Sequence, residues 1–104
     1  MAGNVVPFPA GLTRPEAEAL IHRLAKESRN LAMEEPHFRE RMKERGITMR
    51  QVLETLREGR VDSDPAKDDY GDWRCVVKKR CAGRRVRVVV AIHDRNLLYG
   101  VTTY

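Results

Sequence analysis

Between residues 73 and 93 the chain reads WRCVVKKRC-AG-RRVRVVVAIH, two runs of apolar and basic alternation on either side of a single glycine. Successive side chains of a strand point to opposite faces, so a hairpin turning at Ala82-Gly83 can sort this segment in only one way. Cys81 then faces Arg84, Lys79 faces Val86, Val77 faces Val88, Cys75 faces Val90 and Trp73 faces Ile92, and cross-strand partners share a side. That side is almost wholly apolar. The other carries Arg74, Val76, Lys78 and Arg80 beside Arg85, Arg87, Val89 and Ala91. A slip of one residue would press arginines into the core, so the register is strongly specified. The apolar side needs a cover, and the basic side needs water or an anion.

The cover comes from the first half of the chain. Thr13-Arg14-Pro15-Glu16 has the form of a capping box with proline early in the first turn. Ala17, Leu20, Ile21, Leu24, Ala25, Leu31 and Ala32 follow at helical spacing, which predicts a helix over residues 14–33. Pro36 opens a second helix that Gly46 stops, with Phe38 and Met42 inward. Thr48-Met49-Arg50-Gln51 is another capping box, and Met49, Val52, Leu53 and Leu56 form the inner side of a third helix ended by Gly59. Residues 60–63 suit a short strand, and the acidic stretch 62–72 a loop. A last strand over 97–103, turned at Asp94-Arg95, places Leu97, Tyr99 and Val101 on the covered side. Leu98, Gly100, Thr102 and Tyr104 then join the basic side, with Thr102 across from Arg87 and Tyr104 across from Arg85.

The expected fold class is α+β: two or three N-terminal helices packed on one face of a three- to four-stranded antiparallel sheet. Residues 1–12, with two prolines and two glycines, read as a flexible arm, 13–35 as an extra helix, and 36–104 as the α+β domain. No apolar run approaches the ~20 residues that span a bilayer, and no secretory leader pattern opens the chain, so a cytoplasmic protein with no membrane partner is the expectation. Cys75 and Cys81, six residues apart on one strand, stand too far apart for a disulfide and read as core thiols. No zinc spacing is present, and Asp68, Asp69 and Asp72 lack the spacing of a calcium loop, so neither metal nor cofactor is expected.

Charge distribution says more than the net +5. Residues 34–72 hold eight basic and eleven acidic side chains, whereas residues 73–95 hold eight basic and one acidic, Asp94. A block so one-sided points to an anionic partner. Its alternative is a solvated strand face whose long basic side chains keep an open sheet in water.

The residues His37-Phe38-Arg39-Glu40-Arg41, Arg45-Gly46-Ile47-Thr48, Tyr70-Gly71-Asp72-Trp73-Arg74, the run from Gly83 to Val90, and the ending Val101-Thr102-Thr103-Tyr104 resemble the DUF4258 family over residues 36–104. That family in turn resembles the small RelE-, ParE- and MqsR-type toxins of bacterial toxin–antitoxin pairs. The resemblance implies helices on one face of a curved antiparallel sheet, mRNA cleavage on the open face, and a small antitoxin protein that blocks it.

Metal-free RNA cleavage needs cations around the phosphate and a proton acceptor and donor. Arg74, Arg85 and Arg87 suit the first task, because guanidinium matches phosphate oxygens in pairs. Lys78 and Arg80, with Arg41 and Thr102, suit backbone contacts. Tyr104 is the candidate proton-transfer group, since a late tyrosine plays a comparable part in RelE-type toxins; alternatively it is a frayed last residue. His37, one helical turn from Arg41, is the other candidate, or else a helix-anchoring histidine. His22 and His93 read as surface residues, and Trp73 as packing. The leading expectation is thus an mRNA endoribonuclease, acting freely or on the ribosome. The alternative is a non-catalytic RNA- or protein-binding module that uses the same basic face.

Overall fold

A computed structural model describes residues 11–104. The helix α1 spans Arg14–Ala25, and its capping box forms as the spacing requires, with Glu16 N–H donating to Thr13 Oγ1 and Thr13 N–H to Glu16 Oε1. It stops eight residues short of the predicted end. Asn30 helps close that end: its side-chain amide donates to the Leu24 carbonyl at 3.1 Å, beside the Glu27 N–H that the same carbonyl accepts at 3.3 Å. After a 3-10 turn at Ser28–Asn30, Leu31–Met33 forms a strand, β1, instead of a last helical turn.

α2 (His37–Arg45) closes on Gly46, whose φ of 64° is the left-handed cap a glycine tolerates at no steric cost. The guanidinium of Arg84 donates to the carbonyls of Gly46 and Arg45, placing a cation at the negative end of that helix. α3 (Met49–Glu58) starts from the Thr48–Gln51 capping box and ends at Gly59. Here glycine is required by space. A Cβ at Gly59 would run into the Thr55 carbonyl and lie 2.7 Å from Lys78 O and 2.9 Å from Val77 Cγ1. The next residues, Arg60–Val61, form β2, followed by β3 (Ala66–Lys67), β4 (Trp73–Cys81), β5 (Arg84–Asp94) and β6 (Leu97–Thr103).

Among the described residues the sheet has six strands and is mixed, rather than three or four and antiparallel. Its order is β1-β6-β5-β4-β2, with β3 also on β4. β1 runs parallel to β6 and covers an edge that would otherwise present unpaired backbone groups. The central hairpin has the expected register in all its pairs, from Trp73↔Ile92 to Cys81↔Arg84. Its covered side buries Cys75, Val77, Cys81, Val86, Val88, Val90 and Ile92 against Leu20, Ile21, Leu24, Val52 and Leu56. Each fully buried aliphatic side chain contributes about 1.5–3 kcal/mol relative to exposure, so this layer is the main source of stability. Both cysteines are free and buried.

The last strand departs from the expected register. The turn centres on Arg95-Asn96, with Asp94 opposite Leu97 and the Asn96 N–H donating to Asp94 Oδ1 at 2.7 Å. Two register shifts leave His93 on β5 and Val101 on β6 without partners in the ladder. Leu98, Gly100 and Thr103 consequently face the helices and are buried, while Leu97, Tyr99 and Val101 are not. Phe38 of α2 accounts for the choice. Its ring lies 3.1 Å from where a Gly100 Cβ would stand, so Tyr99 or Val101 could not occupy that side. Thr102, across from Val89, remains on the open side as expected. Of the predicted arm, residues 1–10 lie outside the described residues, and Leu12 is part of the core.

Candidate functional site

The side of the sheet away from the described helices carries a row of charge across four strands. Arg60 on β2 pairs with Lys78 on β4, and Lys78 with Arg87 on β5. Arg87 exchanges both backbone hydrogen bonds with Tyr104, at 2.8 and 2.9 Å. Adjacent strands lie about 4.8 Å apart, so three cations and a phenol are held within roughly 15 Å of sheet. The Arg87 guanidinium stands 5.7 Å from the Tyr104 ring centroid, within cation–π range. Tyr104 therefore meets Arg87, not Arg85, because of the shifted register of β6. Its backbone is tied to the ladder through those two bonds.

One carboxylate answers this row. Asp62 sits 2.8 Å from Lys78 Nζ and 3.9 Å from Arg87 Nε. The hydrogen bond from Lys78, helped by the Arg87 and Arg14 charges and opposed by burial, holds the Asp62 carboxyl below the usual 3.8. Arg60, Arg80 and Arg85 make no ion pair among the described residues. Arg80 and Arg85 are cross-strand neighbours and line, with Lys78, Arg60 and Gly59, an open depression of about 370 Å³. Lys79, on the covered side, is tied instead to Glu54 of α3 at 2.8 Å.

At the other end of the same side lies a larger hollow of about 540 Å³. The acidic loop folds back here in a fixed shape: Asp68 Oδ1 accepts from the amides of Tyr70 and Asp72, and the Asp68 amide donates to the Asp72 carbonyl. Asp68 Oδ2 lies 3.2 Å from Arg74 Nε. Burial opposes the Asp68 charge, but the Asp72 and Tyr70 amides and the Arg74 guanidinium outweigh it and hold the carboxyl below its usual value. Asp72 Oδ1 lies 2.9 Å from His93 Nδ1. Asp72 is 14% exposed and His93 53%, so the carboxylate is enclosed and the imidazole reaches out from it. Glu34, Tyr99 and Val101 complete the wall.

The sheet thus gathers Arg74, Lys78, Arg80, Arg85, Arg87, Thr102 and Tyr104 on one side. Among the described residues no hydrogen bond or ion pair joins His37 or Arg41 to them. His37 is exposed and Arg41 pairs with Glu44 on its own helix at 3.4 Å. The Asp72–His93 pair and the Asp62 clamp were not expected. His93 shares strand parity with Ala91 and Val89, which was legible; that a loop residue twenty-one positions earlier would meet it was not. His22, read as a surface residue, is half-buried and bonds the Gly59 carbonyl at 2.6 Å. Trp73 packs against the core as expected, with Lys67 Nζ 5.6 Å from its ring centroid.

A family model described as "Domain of unknown function (DUF4258)" matches residues 35–104. No curated protein and no solved structure matches the chain. The match spans β2 to β6 together with α2 and α3, so the chain belongs to the DUF4258 family.

Proposed function

We propose that this member of the DUF4258 family acts on single-stranded RNA through the sheet side that the described helices leave open, as a RelE/ParE/MqsR-like endoribonuclease and the toxin half of a toxin–antitoxin pair. One observation supports the reading above the others: the row Arg60–Lys78–Arg87–Tyr104 presents three cations and an aromatic ring in register, with one carboxylate against them. Rows of guanidinium and ammonium groups with exposed aromatics are what a phosphate backbone and unstacked bases require. Arg74, Arg80 and Arg85 extend the track in both directions along the strands. An antitoxin would neutralise the toxin by covering the same side with acidic side chains, as Asp62 does on a small scale.

The test is expression and binding together. Expression of the chain alone arrests growth, and Arg87→Ala relieves the arrest. The purified protein binds single-stranded RNA with a log–log salt slope of about −2, the value for three phosphate contacts at roughly 0.7 each, made by Arg60, Arg80 and Arg85, which Asp62 does not restrain. Harmless expression combined with steep, salt-dependent RNA binding would favour the non-catalytic module. Absence of RNA binding at low salt would remove the reading altogether.

A further inference from the structure

We propose that the hollow bounded by Asp72, His93, Arg74 and Glu34 is the acid–base centre of this surface, where an RNA strand lying on the basic row is cut. The inference rests on the RNA reading above. Three features of the hollow carry it. Asp72 holds His93 through Nδ1 at 2.9 Å, so the other ring nitrogen, Nε2, is left free on an exposed imidazole. Arg74 is fixed through Nε by Asp68, which leaves its two terminal nitrogens for an anion. Glu34 is a carboxylate with no side-chain partner among the described residues, on the same wall as both. A carboxylate, an imidazole oriented by a second carboxylate, and a guanidinium around one hollow supply the base, the acid and the charge stabilisation that metal-free phosphodiester cleavage uses. The volume lies within the ~300–1,000 Å³ typical of small-molecule sites, and Tyr99 and Tyr70 border it with exposed rings suited to stacking bases.

The chain path also favours this place. A register shift at His93 breaks the β5–β6 ladder where the histidine must leave the sheet, and such irregularities re-aim side chains beside active sites. Arg74 and Lys78 are four residues apart on one strand, about 13 Å, so the hollow continues the cationic track.

The step balances within the site. Glu34 takes the proton of a ribose 2′-hydroxyl, and the 2′-oxygen bonds to the adjacent phosphorus. Arg74 stabilises the charge on the phosphoryl oxygens. The bond from phosphorus to the 5′-oxygen breaks, and that oxygen takes the proton from Nε2 of the His93 imidazolium. The products are a 2′,3′-cyclic phosphate and a 5′-hydroxyl, with Glu34 neutral and His93 neutral until solvent restores them. Asp72 touches no substrate and is a positioning residue.

The test uses the full chain and a fluorescent single-stranded RNA oligonucleotide, with a copy carrying 2′-deoxy sugars. Wild type yields cyclic-phosphate ends on the ribose strand and leaves the deoxy strand intact. His93→Ala and Glu34→Gln each lower kcat by about 10²–10⁴-fold, the usual range for one proton-transfer group, while RNA affinity and melting temperature hold. Added imidazole restores part of the His93→Ala rate. Asp72→Asn lowers kcat with KM unchanged. Cleavage that survives both His93→Ala and Glu34→Gln, yet is lost in Arg87→Ala, overturns this centre and leaves the RNA reading standing. A wild-type protein that binds RNA without cutting it overturns the centre as well, and one that does neither overturns both.

Discussion

The Asp62 clamp offers the sharpest quantitative check of the basic row. Asp62→Asn keeps the shape of the side chain and removes its charge. In the native protein that carboxylate holds Lys78 at 2.8 Å and reaches Arg87 at 3.9 Å, so at least one cation is withheld from any phosphate. Releasing one cation adds one phosphate contact, which steepens the salt slope by about 0.7 for a single strand. At 0.1 M salt a slope of 0.7 per decade corresponds to about fivefold tighter binding, and release of both cations to about twenty-five-fold. Fluorescence anisotropy with a single-stranded RNA oligonucleotide, titrated at salt concentrations from about 50 to 200 mM, reads both quantities. Lys78→Ala on the Asp62→Asn background returns the slope to the native value. Unchanged or weaker affinity in Asp62→Asn would falsify the claim that Lys78 and Arg87 form a phosphate track.

Three further expectations concern the frame that holds the row. Gly59→Ala drives a Cβ into the Thr55 carbonyl and within 2.7 Å of Lys78 O, neither of which can rotate away. Overpacking of that kind costs about 1–3 kcal/mol, which lowers the melting temperature by roughly 10 °C in a domain of this size; an unaltered thermal transition would show that α3 and β4 are not so tightly apposed. Burial pushes the Cys75 thiol from 9.0 up to about 12, so in native protein it resists alkylation at about pH 8 and reacts only with the unfolding rate, whereas prompt labelling would contradict its burial in the core. The Lys79 hydrogen bond holds Glu54 below 4.5, and Glu54 in turn holds Lys79 above 10.5. The pair therefore adds stability that is fully present between those values. It is lost as pH falls through the lowered Glu54 pKa and as pH rises through the raised Lys79 pKa. The melting-temperature gap between wild type and Glu54→Gln should be constant from pH 4.5 to 10.5 and narrow outside that window, and a gap that widens in acid would count against the pair.

The hairpin was legible because its information is local. Period two, one glycine and a cost of burying arginine leave a single register, and all its pairs are found. The helix starts were legible for the same reason, since a capping box closes within four residues. The end of α1 was not. Leu31 and Ala32 continue the helical spacing, yet an open edge of β6 takes them, and that edge lies nearly seventy residues further along the chain. The register of β6 was equally hidden. Leu97-Leu98-Tyr99 supports either alternation, and the size of Phe38 on a separate helix decided between them.

The candidate site divides along the same line. Which side of the sheet would be cationic was settled by alternation within one hairpin, because a charged side chain cannot be left in the core without a partner. Where Tyr104 lands, which cations Asp62 restrains, and the meeting of Asp72 with His93 were settled only by the folded chain. Those contacts join elements far apart in sequence, through shifted ladders and loop closures whose geometry no local pattern encodes. Local sterics and solvation are written in adjacent residues, whereas the juxtaposition of loops and strand ends depends on how every intervening element packs.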